Sequence, residues 1–144
     1  MELVCPHCHT VNRVPDERVS ERPDCGRCAC PLVATAPVVL DALNFDRFIE
    51  RNGLPVLVDF WAAWCGPCRA MAPQFEAAAG QLAGQVIFAK LDTESAPDES
   101  SRYRIRSIPT MILFAGGREV ARTSGAMSAA DIVRWVSGGR GASA

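Results

Sequence analysis

The segment Pro55-Val56-Leu57-Val58-Asp59-Phe60-Trp61 runs almost directly into Cys65-Gly66-Pro67-Cys68-Arg69, so a strand must give way within a few residues to a helix that carries a thiol at its start. The nearly continuous apolar run marks a strand buried on both faces. Gly66 permits the intervening turn, and Pro67 fixes φ at a value suited to the first turn of a helix. With two residues between them, Cys65 and Cys68 approach closely enough to close a small-ring disulfide. If the helix continues through Arg69-Ala70-Met71, Cys65 lies at its N-terminus, where the macrodipole and unpaired backbone N–H groups favour a thiolate. Cys65 is therefore the expected nucleophile of a redox-active pair.

From Val38 onward, strand-like and helix-like signals alternate, the pattern of an α/β domain with a central sheet. Val38–Leu40 reads as a short strand, and Phe45, Phe48 and Ile49 fall at helical spacing before a stop at Asn52-Gly53. The helix after Cys65 is expected to reach about Leu82, with a kink at Pro73. Val86–Leu91 is the next central strand, followed by a helix from Ala96 to Tyr103. Met111–Phe114 and Glu119–Thr123, separated by Gly116-Gly117, form an expected β-hairpin. A last helix starts with Ser128 as N-cap and gathers Ile132, Val133, Trp135 and Val136 on one broad face. The expected order is βαβαβαββα.

Cysteine placement divides the chain. Five of the seven cysteines lie in the first thirty residues, two form the pair above, and none follows Cys68. Cys5-Pro6-His7-Cys8 and Cys25-Gly26-Arg27-Cys28 are two Cys-x-x-Cys turns sixteen residues apart, a spacing that reads as a four-cysteine zinc site. Zn²⁺ favours a tetrahedron of such ligands, and a segment this short needs metal to fold. Two disulfides are the competing pairing, and His7, His9 and Cys30 compete for coordination positions. The expected division is a four-cysteine module over residues 1–30, a linker over 31–37, an α/β domain over 38–140 and a tail over 141–144.

Net charge −1 gives no general electrostatic reason to expect nucleic acid or anionic membrane as a partner. In residues 1–30, Arg13, Arg18, Arg22 and Arg27 are balanced by Glu2, Asp16, Glu17, Glu21 and Asp24, so the module has no basic footprint and reads as a docking or regulatory surface. No apolar stretch approaches a membrane span, and Met1–Cys5 lacks the basic and apolar regions of a secretory signal. A cytosolic protein is expected, in which paired cysteines point to metal ligation or redox catalysis.

Trp64-Cys65-Gly66-Pro67-Cys68, Asp59 six residues before the first thiol, Pro73, Ser107-Ile108-Pro109-Thr110 and Gly125-Ala126 together resemble the thioredoxin family. With the four-cysteine module in front, the chain is similar to the zinc-containing bacterial members. The resemblance implies a thioredoxin fold, a central mixed sheet flanked by helices, behind a small zinc-ribbon-like module. It implies a protein-disulfide reductase in which Cys65 attacks and Cys68 resolves, with no bound organic cofactor. Asp59 is an acid at the end of an apolar strand, costly there without a polar partner or a retained proton. The resemblance puts it beneath the cysteine pair as proton acceptor for Cys68, with Lys90 modulating its charge. It also implies a cis Ile108-Pro109 bond and a shallow substrate surface of Trp64, Gly66, Pro67, Ile108, Pro109, Gly125 and Ala126. Cys5, Cys8, Cys25 and Cys28 become the Zn²⁺ ligands. Expected partners are thioredoxin reductase, which brings in NADPH indirectly, and protein disulfides such as those of ribonucleotide reductase, peroxide-reducing enzymes and methionine sulfoxide reductase. The protein is expected to act as a monomer. The competing readings are an oxidase or isomerase on the same fold, and a redox-gated zinc switch or holdase built on the first module.

Overall fold

The structure, a computed structural model, describes residues 1–142, with side chains described as far as residue 138. Five strands form one mixed sheet: β3 (Val38–Leu40), β4 (Val56–Trp61), β5 (Ile87–Asp92), β6 (Thr110–Ala115) and β7 (Arg118–Ser124), in the spatial order β3-β5-β4-β6-β7. β3 and β4 pair in parallel with β5, while β6 pairs antiparallel with β4 and β7 antiparallel with β6. Four helices complete this part: α1 (Phe45–Arg51), α2 (Gly66–Gln81), α3 (Pro97–Arg102) and α4 (Ala129–Ala142). This is the expected alternation, with boundaries moved by a residue or two. α2 runs on through Pro73, and the Ser128 hydroxyl accepts the Asp131 N–H at the head of α4.

Alternation along β4 assigns its side chains to two layers. Val56, Val58 and Phe60 enter a core shared with Phe45, Phe48 and Ile49 of α1. Phe45 meets Phe60, Tyr103 and Phe114 edge to face, with centroids 6.2, 6.0 and 6.0 Å away. Leu57 enters the opposite core with Met71 and Phe75 of α2 and Ile132 and Val136 of α4. By the same parity Asp59 lies on the α2 side of the sheet. Trp135, placed by its spacing on the broad face of the last helix, packs partly buried against this second layer.

The first residues add elements that the apolar pattern did not announce. β1 (Glu2–Val4) and β2 (Val11–Arg13) form an antiparallel pair, and residues Asp16–Glu21 form a 3₁₀ helix. A third cluster holds Leu3, Cys5, Val14, Val19, Cys25, Leu32 and Val33. Thus Leu32 and Val33, within the segment read as linker, are buried against the cysteine turns. Val4 enters the α1 core, and its N–H donates to Asn52 Oδ1 at 2.9 Å. Asn52, read from sequence only as a helix stop, also donates to the Phe48 carbonyl at 2.8 Å. The Gly53 N–H donates to the Glu2 carbonyl at 2.7 Å, and a Cβ at Gly53 would lie 2.6 Å from Met1 Cβ. Close backbone approach requires glycine there.

Of the expected tail, residues 141 and 142 fall within α4, and residues 143 and 144 lie outside the described residues. Among the described residues no helix is long and apolar enough to cross a membrane.

Candidate active site and metal centre

β4 ends at Trp61, and the chain turns through Ala62-Ala63-Trp64 before α2 begins. Cys65 is the N-cap of α2 and is joined to Cys68 as a disulfide, with their Cα atoms 5.3 Å apart. The Cys68 N–H donates to Cys65 Sγ at 3.2 Å, so an orphan donor of the helix start is aimed at this sulfur. On reduction the same N–H and the helix dipole favour negative charge at Cys65. Both sulfur-bearing residues are nearly covered, Cys65 at 4% exposure and Cys68 at 2%. Gly66 and Pro67 are exposed at the surface of the turn.

Beneath α2, Asp59 is 1% exposed, and its Oδ1 has no hydrogen-bond partner among the described residues. Burial lifts its carboxyl from 3.8 to about 7, against an opposing pull from the Lys90 ammonium. Lys90 faces Asp59 in the parallel β4–β5 register. Its Nζ sits 4.3 Å from the Trp61 ring centroid, so the cation rests on an aromatic face. A buried carboxyl raised to about 7, on the face of the sheet that α2 covers, is suited to exchange a proton near neutral pH.

The loop before β6 approaches the dithiol from the other side. Ile108-Pro109 is cis, and the Ile108 carbonyl oxygen lies 3.7 Å from Cys65 Sγ. The Thr110 hydroxyl donates to the Ser107 carbonyl at 2.6 Å, which fixes this loop. The Gly125 N–H donates to the Pro109 carbonyl at 2.9 Å, and Gly125 adopts φ 100°, a conformation that favours glycine. Ala126 is exposed beside it, and Trp64 is 67% exposed. Trp64, Gly66, Pro67, Ile108, Pro109, Gly125 and Ala126 thus come from three chain segments that meet around the cysteine pair.

Four thiols gather in the first module. The sulfurs of Cys5, Cys8, Cys25 and Cys28 all lie within 4.8 Å of one another. The Cys5–Cys28 and Cys8–Cys25 sulfurs are 3.5 and 3.6 Å apart, close to the edge of about 3.8 Å set by a tetrahedral Zn²⁺ with bonds of about 2.3 Å. Backbone N–H groups of His7 and Cys8 point at Cys5 Sγ, and that of Arg27 points at Cys25 Sγ. Hydrogen bonding by the backbone of Cys28 and Arg27, joined by the Asn12 amide, brings the Cys25 thiol down to about 6. All-sulfur donors, tetrahedral spacing and N–H groups on the sulfurs fit a zinc ion. The five thiols of the module are free, and Cys30 stands outside the four-sulfur group, as do His7 and His9. His9 instead reaches α1, its Nε2 3.4 Å from Asn44 Nδ2 and its carbonyl accepting from Arg47 Nε at 3.1 Å.

Two contacts at the redox site and one at the four-thiol cluster escaped the sequence reading. The Trp64 indole N–H donates to Glu94 Oε1 at 2.8 Å, and Arg69 Nη1 donates to the Ala63 carbonyl at 2.7 Å. Asn12 of β2 holds the second cysteine turn, receiving the Gly26 N–H at 2.9 Å and donating to Cys25 Sγ at 3.5 Å. Each is a single polar side chain in a polar stretch, and no spacing marks it.

Two family profiles match separate stretches of the chain. A family profile described as Thioredoxin matches residues 36–138, and one described as Thioredoxin 2, N-terminal matches residues 4–29. The chain is 45% identical to Thioredoxin C-3 of Corynebacterium nephridii over 136 residues, 94% of this chain and 93% of that one. It is 45% identical over 95 residues to a thioredoxin of Synechocystis, covering 66% of this chain and 88% of the relative. A protein of Mycobacterium leprae named bifunctional thioredoxin reductase/thioredoxin is 46% identical over 96 residues, 67% of this chain and 21% of its own length.

Proposed function

The chain belongs to the thioredoxin family and is a thiol-disulfide oxidoreductase, and on that premise we propose that Cys65 opens a protein disulfide, Cys68 resolves it, and Asp59 takes the proton from Cys68. The Cys65 thiolate bonds to one sulfur of the substrate, and the other substrate sulfur leaves as a thiolate. Asp59 then accepts the Cys68 proton, and the Cys68 thiolate attacks Cys65 Sγ. The second substrate sulfur leaves, and the protein retains its own disulfide. Two electrons have passed from the dithiol to the substrate.

The observation that carries this reading is the aim of the Cys68 N–H at Cys65 Sγ at the head of α2, which gives the two thiols unequal roles. Brief alkylation of the reduced protein is expected to label Cys65 first. Preferential labelling of Cys68 would reverse the assignment. Lys90 tempers the charge on Asp59, and the surface formed by Trp64, Gly66, Pro67, Ile108, Pro109, Gly125 and Ala126 receives an extended substrate segment.

The reduced state is restored by a thioredoxin reductase that draws on NADPH. In support, the Mycobacterium leprae relative carries both names in one chain. Protein disulfides of ribonucleotide reductase, peroxide-reducing enzymes and methionine sulfoxide reductase are suitable substrates for such a reductase in the cytosol. In the first module, Cys5, Cys8, Cys25 and Cys28 hold Zn²⁺. When bound, the ion crosslinks the two cysteine turns and stabilises a module whose own apolar core is small. We place the functional boundary between a metal-bound module ending near residue 30 and a redox domain starting near Val38.

A further inference from the structure

α3 ends at Arg102, and the N–H groups of Arg104 and Ile105 return to the carbonyls of Ser101 and Ser100 at 3.0 and 2.9 Å. Such a helix ending places one residue in the left-handed region, where glycine is favoured and a Cβ is penalised. Here that residue is Arg104, at φ 55°. Nothing in the fold repays the choice. The Arg104 side chain is exposed and, among the described residues, makes no ion pair or hydrogen bond. Arg102, two residues earlier, lies by contrast against Asp46 at 2.5 Å and Glu99 at 3.6 Å. His9, Arg22 and Ala29 adopt the same left-handed state, so the unpaired, exposed charge of Arg104 rather than its backbone points to use at a surface.

The location supplies the use. Arg106 is also exposed and, among the described residues, unpaired, and its Cα lies within about 7 Å of that of Ile108 by chain length alone. Ile108 in turn holds its carbonyl 3.7 Å from Cys65 Sγ. Across the dithiol, the first turn of α2 contains no acid, and Arg69 is exposed. Beyond Trp64, Glu94 is engaged by the indole, and Asp92 accepts the Glu94 N–H. The approach to Pro109, residues 103–110, thus carries two arginines and no acid.

We propose that Arg104 and Arg106 form a cationic flank to the Ile108-Pro109 ledge and select protein disulfides set in acidic segments. This deepens the reading of that ledge as the substrate surface and rests on it. Long, hydrated guanidinium groups beside the ledge attract an acidic segment before its disulfide reaches Cys65, so the selection appears in the rate of encounter.

The test uses the reduced full-length protein and two synthetic peptides, each closed by one disulfide and differing only in flanking glutamates or lysines. At low ionic strength the glutamate peptide is expected to react about tenfold faster, and about 0.5 M salt should shrink that preference to within about twofold. The double variant Arg104→Gly, Arg106→Gln should lose the preference. Arg118→Gln, at the far end of the β6–β7 hairpin, should keep it. Arg104→Gly alone should melt at a higher temperature than the parent, because glycine suits φ 55°. Equal rates for the two peptides at low salt, a preference that survives the double variant, or a lower melting temperature for Arg104→Gly overturns the proposal. Failure to reduce either peptide would overturn the ledge reading together with it.

Discussion

Two kinds of Cys-x-x-Cys turn occur in this protein, and their surroundings give them different chemistry. In the first module, two turns face each other and four sulfurs converge, each turn being held by its own N–H groups and the second also by Asn12. In the redox domain a single turn opens a sixteen-residue helix over a buried carboxyl, and its two sulfurs are bonded to each other. Convergence of four soft donors suits a metal ion, whereas an isolated pair at a helix N-terminus suits reversible oxidation. The spacing of the cysteines is shared; what differs is whether a second pair is brought opposite.

The largest expected effect that separates the two regions is metal removal. Structural zinc sites of this class have apparent binding energies of about 10–16 kcal/mol, which a three-residue hairpin pair cannot replace. Stripping the metal with a chelator should abolish amide-exchange protection over Glu2–Arg13 while the β4–β5–β6 amides stay protected. Loss of protection in both regions would show one cooperative unit and break the comparison. Next in size, Cys65→Ser should reduce insulin-disulfide turnover by roughly 10⁴-fold or more, with the metal content unchanged. A fall in metal content would join the two sites.

Asp59→Asn sharpens the contrast within the redox site. It should slow resolution of the mixed disulfide by roughly 10²-fold while leaving the first attack almost intact. In the parent, resolution should rise with pH through about 7, because only the ionised carboxyl accepts a proton, and the Asn variant should lose that rise. Stability moves the other way. Between 3.8 and about 7 the unfolded chain ionises while folded Asp59 keeps its proton, so its contribution falls as pH rises. Above about 7 the full cost, roughly 4 kcal/mol, is present, and the Asn variant should be the more stable protein there. Urea unfolding at pH 4 and pH 8 checks the sign. The smallest effect is expected at the seam: Asn52→Ala orphans the buried Val4 N–H and should cost about 1–3 kcal/mol in the same assay. No change would mean that the module is only loosely attached.

The sheet was legible in the sequence because its central strands are largely buried and read as nearly continuous apolar runs, broken only by Asp59 in Val56–Trp61 and by Lys90 in Ile87–Leu91. The cysteine pairs were legible because metal and redox chemistry constrain spacing. The hairpin of the first module was not, since strands of three residues are too short to show a period. Nor were Glu94 beside Trp64, Arg69 beside Ala63, or Asn52 beneath Val4. These contacts join residues through the fold, and one polar side chain carries no periodicity. Asp59 lies between these extremes: its place in an apolar strand was visible, while its elevated carboxyl needed the depth of burial.

The central claim is that the two cysteine systems divide the chemistry, electrons passing through Cys65 and Cys68 and metal staying with the other four. Its most direct test is to react the reduced, zinc-loaded protein with one equivalent of a protein disulfide, then map thiols and count metal. The account predicts one new disulfide, Cys65–Cys68, with one zinc retained per chain. Oxidised cysteines in residues 1–30, zinc released and Cys65 and Cys68 still reduced would contradict it.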